Sequence, residues 1–258
     1  NTTGNANTAS GYAALFSVTS TGTGNTALGY NAGNACIAIT TGTYNTLLGY
    51  TASSDLATRT NSIAIAGNGN LAFGGDNSVR VGNGSMTSIG GQVGWTTISD
   101  MRTKTNVQEN VPGLAFIKAL RPVTYHYNVD KEYELMWGKR DTTDWNNKYA
   151  IEKMTFSGFL AQEVEAAADK IGYSFSGVDK PQDKSGVYGL RYAEFTVPLV
   201  KAVQELDKRN EQLQSANDEL KAEIEKLKTS NSELRTQNSE FKKDVEKIKE
   251  YLELKSKK

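Results

Sequence analysis

The sequence is short of the residues that build most small reactive centres. It has one cysteine, Cys36, and one histidine, His126, in 258 residues. A single cysteine excludes an internal disulfide framework, and a single histidine leaves no basis for a His/Cys metal cage, so neither metal nor cofactor is expected. No run of about 20 apolar residues occurs, so no membrane-spanning helix is expected. Net charge is lacking too, since 29 basic side chains balance 29 acidic ones. No global field draws the chain to nucleic acid or to an anionic lipid surface, and no nucleic-acid partner is expected. The chain begins at Asn1 with neither a methionine nor a signal-like apolar stretch, and reads as the C-terminal part of something longer.

Charge is also missing locally. Before Ser99 the only charged side chains are Asp55, Arg59, Asp76 and Arg80, and Gly, Asn, Thr, Ser and Ala dominate. That composition alone suits a flexible linker. A repeat argues against one. "NTASGY" at Asn7, "NTALGY" at Asn25, "NTLLGY" at Asn45, "NSIAIAGNG" at Asn61 and "NSVRVGNG" at Asn77 share one frame, at offsets of 18, 20, 16 and 16 residues. Alternation followed by Gly and Asn predicts a short strand and a tight turn. Units this small bury no core alone and must stack on neighbours or on other chains. The expectation over 1–97 is a repetitive β-roll or β-solenoid. These units resemble the head and stalk repeats of trimeric adhesins and phage tail fibres.

From 98 to 197 the composition is that of an ordinary globular domain, read as α+β. "AFIKALRPVTYHYN" pairs a short helix with a strand, broken at Pro122. His126 alternates there with two tyrosines and reads as a structural residue. "FSGFLAQEVEAAADKIG" begins as a strand, then sets Leu160, Val164 and Ala167 at helical spacing, with Gly172 as a stop.

From 198 to 258 the pattern is a heptad. Leu199, Leu206, Leu213, Leu220, Leu227, Leu234, Phe241 and Ile248 recur every seven residues at d. Val203, Asn210, Asn217, Ile224, Asn231, Asn238, Val245 and Leu252 fill a. The rod would be roughly 80 Å long. The seam is too narrow for a helix packed on its own domain. Every e position from Lys221 to Lys249 is basic, so antiparallel pairing would face like charges. A parallel register sets Glu223 near a partner's Lys228 and Asp244 near its Lys249. Such pairs choose orientation rather than provide stability. The asparagines at a pin register at a cost in stability. Leu at d with Asn or β-branched residues at a suits two strands, whereas the repeats upstream point to three.

Between the low-charge repeat and the charged half lies "TTISDMRTKTN". A serine needs a base to become a nucleophile. Lysine serves only when neutral, and a free lysine titrates near about 10.4. Burial lowers that value, so a Ser99/Lys104 pair would need an enclosed site. Serine and lysine five apart are weak evidence, and the stretch also reads as a polar turn with Ser99 as a helix cap. Ser99, Asp100, Arg102, Lys104 and Asn106, however, resemble the Ser-Asp-x-Arg-x-Lys-x-Asn opening of the intramolecular chaperone of endosialidases and phage tail spikes, the peptidase S74 family. "IKALRPVTYHYN", "GFLAQEVE" and "YAEFTVPLVKAVQEL" resemble later motifs of that family in the same order, up to about Leu206.

The resemblance implies a domain that aligns three copies of the upstream fibre and then releases itself by autoproteolysis in cis. Ser99 would be the nucleophile and Lys104 its base. Asp100, Arg102 and Asn106 would support or orient the site, and the cut would fall on one side or the other of Ser99, with Ser99–Asp100 the preferred bond. The expected partner is the chain itself, as a homotrimer with a dimer as the lesser alternative, in a phage tail fibre or on a bacterial surface. The competing expectation is a non-cleaving structural fibre or adhesin with a coiled-coil stalk.

Overall fold

The computed structural model of the chain describes residues 4–18, 21–35, 37–67, 75–142, 144–183 and 186–256. Cys36 and the end of the fourth repeat, residues 68–69, lie outside the described residues. Two compact units are present, Asn1–Pro198 and Leu199–Lys258.

The first unit begins with a β-solenoid. β1 (Thr8–Ser10), β2 (Thr26–Leu28), β3 (Thr46–Leu48), β4 (Ile63–Ile65) and β5 (Val79–Val81) pair in parallel in chain order. The middle residues of β2, β3 and β4 point inward: Ala27, Leu47 and Ala64 are buried, together with Leu15, Ala32, Ile39 and Ala52. Small inward side chains suit so narrow a coil. Gly29, at φ +133°, shows how tightly successive turns stack, since a Cβ there would collide with the carbonyl of Gly49.

The repeat asparagines are not turn decoration. Asn25 and Asn45 are fully buried and form a ladder through the coil. Asn25 donates from its backbone N–H and side-chain amide to Asn7 Oδ1, at 2.9 and 3.2 Å. Asn45 does the same to Asn25 Oδ1, at 3.0 Å each. The Ser62 N–H closes the ladder on Asn45 Oδ1 at 3.1 Å. Each amide thus satisfies backbone groups that three-residue strands cannot reach. Asn45→Leu would leave the Ser62 N–H and the Arg59 carbonyl buried without this partner, while Asn25 Oδ1 keeps the N–H of residue 45. We expect a loss of about 2 kcal/mol or more, at about 1–3 kcal/mol for each of the two unsatisfied groups, read as a lower denaturant midpoint.

The register corrects the sequence alignment at one step. β3 pairs Thr46 with Ile63 and Leu47 with Ala64, an offset of 17 rather than the 16 that aligning Asn45 with Asn61 predicts. Ser62, not Asn61, therefore takes the ladder position. The inward face decides this, because a slip of one residue would turn Ile63 inward and Ala64 out.

The rest of the first unit is α+β. α1 (Leu114–Ile117) leads to β6 (Val123–Tyr125), which pairs antiparallel with β7 (Phe156–Gly158). α2 (Val129–Trp137) is inserted between them, and α3 (Ala161–Lys170) follows β7 and ends before Gly172 at φ +66°. β8 (Val178–Asp179) and β9 (Gly189–Leu190) form a short hairpin. The core is Phe116, Val164, Ala168 and Phe195, with Tyr173 and Phe175 against the Phe116 ring.

This part packs on the last turns of the solenoid. Arg59, almost fully buried, meets Asp55 and, from the segment after β8, Asp183, at 2.5 Å each. Asp55, and also Asp183, hold the guanidinium charged against its burial. The Asp76 N–H donates to Gln182 Oε1 at 2.8 Å. Glu132 of α2 lies against Gly84, and burial pushes its carboxyl above the usual range despite nearby Arg80. The folded state therefore holds this proton more tightly than the unfolded one, so the contribution of Glu132 to stability falls as pH rises through the acid range. Glu132→Gln should be more stable than wild type at neutral pH, with the gap closing below about pH 4, in melts against pH.

The second unit is the bulk of α4 (Thr196–Ser256), 61 residues or about 90 Å of continuous helix. Within one chain its apolar seam is open: Leu206, Leu213, Leu220, Leu227 and Leu234 are each more than half exposed.

Candidate processing site

The junction is built from local rules. No strand or helix forms from residue 83 to residue 100, and its apolar side chains face solvent, Trp95 being 95% and Ile98 85% exposed. A single 3₁₀ turn, Met101–Thr103, interrupts the extended chain. Asp100 caps it, accepting the Arg102 N–H at 2.9 Å. This corrects the expectation of a Ser99 cap, because the aspartate sits one residue nearer the turn and takes the cap role. The Asp100 carbonyl accepts from both the N–H and the hydroxyl of Thr103, at 3.1 and 2.8 Å.

Closing the turn returns the chain on itself. Lys104 Nζ then donates to Ser99 Oγ at 2.7 Å. The sequence spacing of five residues is thus one turn with a residue on each side. Lys104 donates in this contact, whereas a lysine acting as base accepts from the hydroxyl. Both side chains are exposed in the single chain.

Of the residues expected to support the site, Asp100 and Arg102 meet each other. The Arg102 guanidinium brackets the Asp100 carboxylate, at 2.6 to 3.1 Å. Arg102 holds that carboxyl below its usual range and is itself raised by it. The Asp100 carboxylate is therefore turned to Arg102 rather than to the Ser99–Lys104 pair. Asn106 stands at φ +53° in the left-handed region, where asparagine is tolerated, and makes no hydrogen bond to the pair. The structure brings Ser99 to Lys104 and Asp100 to Arg102, and leaves Asn106 apart.

The later sequence motifs also converge. Arg121 of "ALRPV" forms a two-pronged bond to Glu163 of "AQEV", at 3.0 and 2.5 Å. The Tyr192 hydroxyl of "YAEF" accepts the Phe159 N–H at 3.1 Å and lies where a Cβ at Gly158 would be. Gly158 is required there by the approach of the tyrosine, which explains a Gly-Phe pair opposite a tyrosine. Residues 99–173 match the family whose description is chaperone of endosialidase. The similarity is to the peptidase S74 family and covers this segment, under a third of the chain. Its first matched residue is Ser99, and the match ends at Tyr173, before the β8–β9 hairpin and α4. No curated protein and no solved structure gives a significant match to the chain.

The chain therefore carries an intramolecular chaperone domain behind a β-solenoid. Other polar groups in it read as scaffold. His126 lies just past β6 and ties down the Glu152 carbonyl through Nδ1 at 2.9 Å. Sequence reasoning missed the anchor of the α2 insertion, Lys148. It is buried, 2.9 Å from Asp141 Oδ2 and 5.0 Å from the centre of the Trp145 ring. Burial opposes its charge, and Asp141 and Tyr149 together outweigh that. One lysine among aromatic and amide residues gave no signal of this. An open cavity of about 590 Å³ is lined by Tyr125, Tyr127, Phe159, Leu160, Tyr188 and Tyr192. Burial, and then Tyr127, push the Tyr125 hydroxyl up to about 12, so it is a poor proton donor or nucleophile near neutral pH. Among the described residues no group of three His, Cys, Asp or Glu converges as a metal site, and no helix is long and apolar enough to cross a membrane.

Proposed function

We propose that residues 98–197 align copies of the fibre segment 1–97 into a homotrimer, with 198–258 as a parallel register-setting coiled coil, and then cut themselves free beside Ser99. The observation that carries this reading is the 2.7 Å contact between Ser99 Oγ and Lys104 Nζ at the first residue of the chaperone family match. Once Lys104 is neutral, it takes the proton of a Ser99 hydroxyl as Oγ adds to the scissile carbonyl. The C–N bond then breaks as that proton passes to the leaving nitrogen, and water hydrolyses the ester to a carboxylate. Asp100 and Arg102 act by fixing the turn.

The exposure of the pair supports a dependence on assembly. In water the amine of a lysine keeps its proton at neutral pH. The walls that exclude water from Ser99 and Lys104 would come from neighbouring copies, for which the open apolar residues Trp95, Ile98 and Met101 are suited. A hydroxyl attacking the carbonyl of its own residue would close a four-membered ring. Cleavage of Ser99–Asp100 is therefore best served by the Ser99 of a neighbour, within one assembly.

Such a device answers a folding problem. A repetitive β-coil has weak register, and pairing between chains is non-local and slow to nucleate. A parallel helix raises the effective concentration of the right partners. Removal of the template afterwards traps the product kinetically. The setting that suits these parts is a phage tail fibre or a bacterial surface fibre. The test is a denaturing gel of freshly expressed chain beside Ser99→Ala and Lys104→Ala. Wild type should run as two fragments and both variants as one. Full-length, assembled material in all three would make the protein a non-cleaving structural fibre.

A further inference from the structure

The outward face of the solenoid sheet changes character along its length. On β1 the outward residues are Thr8 and Ser10. On β2 and β3 one outward residue of each strand becomes apolar, Leu28 and Leu48. On β4 and β5 both do: Ile63, Ile65, Val79 and Val81. These six side chains are 36% to 59% exposed. Neighbouring strands lie about 4.8 Å apart, so they form one continuous apolar face rather than scattered contacts. Parallel sheets are ordinarily covered on both sides, and a contiguous exposed apolar patch marks an interaction surface.

Two features of the chain indicate what covers this face. First, none of its outward positions carries a charge. The charged residues nearby are used elsewhere: Asp55 and Arg59 are buried in an ion pair, and Arg80, at the middle position of β5 and so off this face, lies 3.8 Å from Asp179. An identical face can therefore meet it with no like-charge repulsion, whereas nothing on it would orient a charged partner. Second, the same chain carries the heptad seam of α4, open in the single copy, whose charge pattern favours parallel pairing with copies of itself. Parallel pairing there holds identical strands of several copies within reach of one another. A steady gradient from hydroxyl to apolar suits contact between identical strands, since only that register sets the four apolar residues of β4 and β5 against their like.

We propose that the outward face of β2–β5 is the surface through which copies of this chain pack on one another in the fibre, most densely at β4 and β5. The inference rests on the homotrimer reading and names the contact that reading lacks. The test uses the full chain with Ser99→Ala, so that cleavage plays no part. A photo-crosslinking amino acid is placed at position 65, at position 81, at Thr41 outside the sheet, or at Leu220 in α4. Crosslinked oligomers of this chain are expected from 65, 81 and 220, at least tenfold above the yield from 41. Oligomers from 220 with only the Thr41 level from both 65 and 81 would overturn the proposal and leave the trimer standing. No oligomers from 220 would overturn the trimer and the proposal together. Crosslinks from 65 and 81 to a different protein would overturn the proposal as well.

Discussion

Lys104→Arg leaves the chain uncut, although it keeps the positive charge and the reach of the side chain. An arginine at 104 can still donate to Ser99 Oγ, as Lys104 does at 2.7 Å. What it cannot do is give up its proton, since a guanidinium stays charged throughout the accessible pH range. A role in holding the turn or in attracting a carboxylate would survive this substitution, and a role as base would not. The expected loss of cleavage rate is about 10²–10⁴-fold, the usual worth of a general base. Lys104→Ala should fall as far. A time course on denaturing gels checks both results. Arg102→Ala should be milder, since Arg102 bonds to Asp100 and not to the reacting pair.

Leu220→Asp with Leu227→Asp abolishes assembly and, with it, cleavage. Both leucines lie on the open seam of α4, more than half exposed in one chain and with nothing to lose there. A stability loss of the single chain is therefore not expected. In a parallel bundle each substitution would set carboxylates against one another in an apolar layer, at a cost of several kcal/mol per layer by about the scale of unpaired buried charge. Sedimentation should show monomers where a trimer is expected of wild type, and the cut fraction should drop by about tenfold or more. Cleavage at the wild-type rate by monomeric protein would show that one chain encloses its own site. The seam asparagines should act in the opposite sense. Replacing Asn210, Asn217, Asn231 and Asn238 by isoleucine should stabilise the assembly while loosening its register and number of strands.

The large features were legible because each has a period. Alternation marked the β coil, a repeat of seven marked α4, and Pro122 and Gly172 bounded α1 and α3 as expected. The details that failed are non-periodic. The frame of the fourth repeat was misread by one residue, because "NS" matches "NT" in the sequence while the inward face selects Ala64. Nothing in the repeat marked Asn25 and Asn45 as buried, and only stacking shows them to form a ladder. Lys148, Asp141 and the Arg59–Asp183 pair join residues far apart in the chain or set among bland neighbours, so no local pattern announced them. At the junction, Ser99 and Lys104 were legible as a pair, and one turn of 3₁₀ helix brings them together. The pairing of Asp100 with Arg102 was not, since it follows from a cap residue followed by an arginine at the second position, which satisfy each other locally.

The intact masses of assembled wild-type chain test the central claim most directly. The account predicts two species, Asn1–Ser99 and Asp100–Lys258, whose masses add to that of the uncut chain plus one water. A single full-length mass from trimeric, folded protein would contradict it.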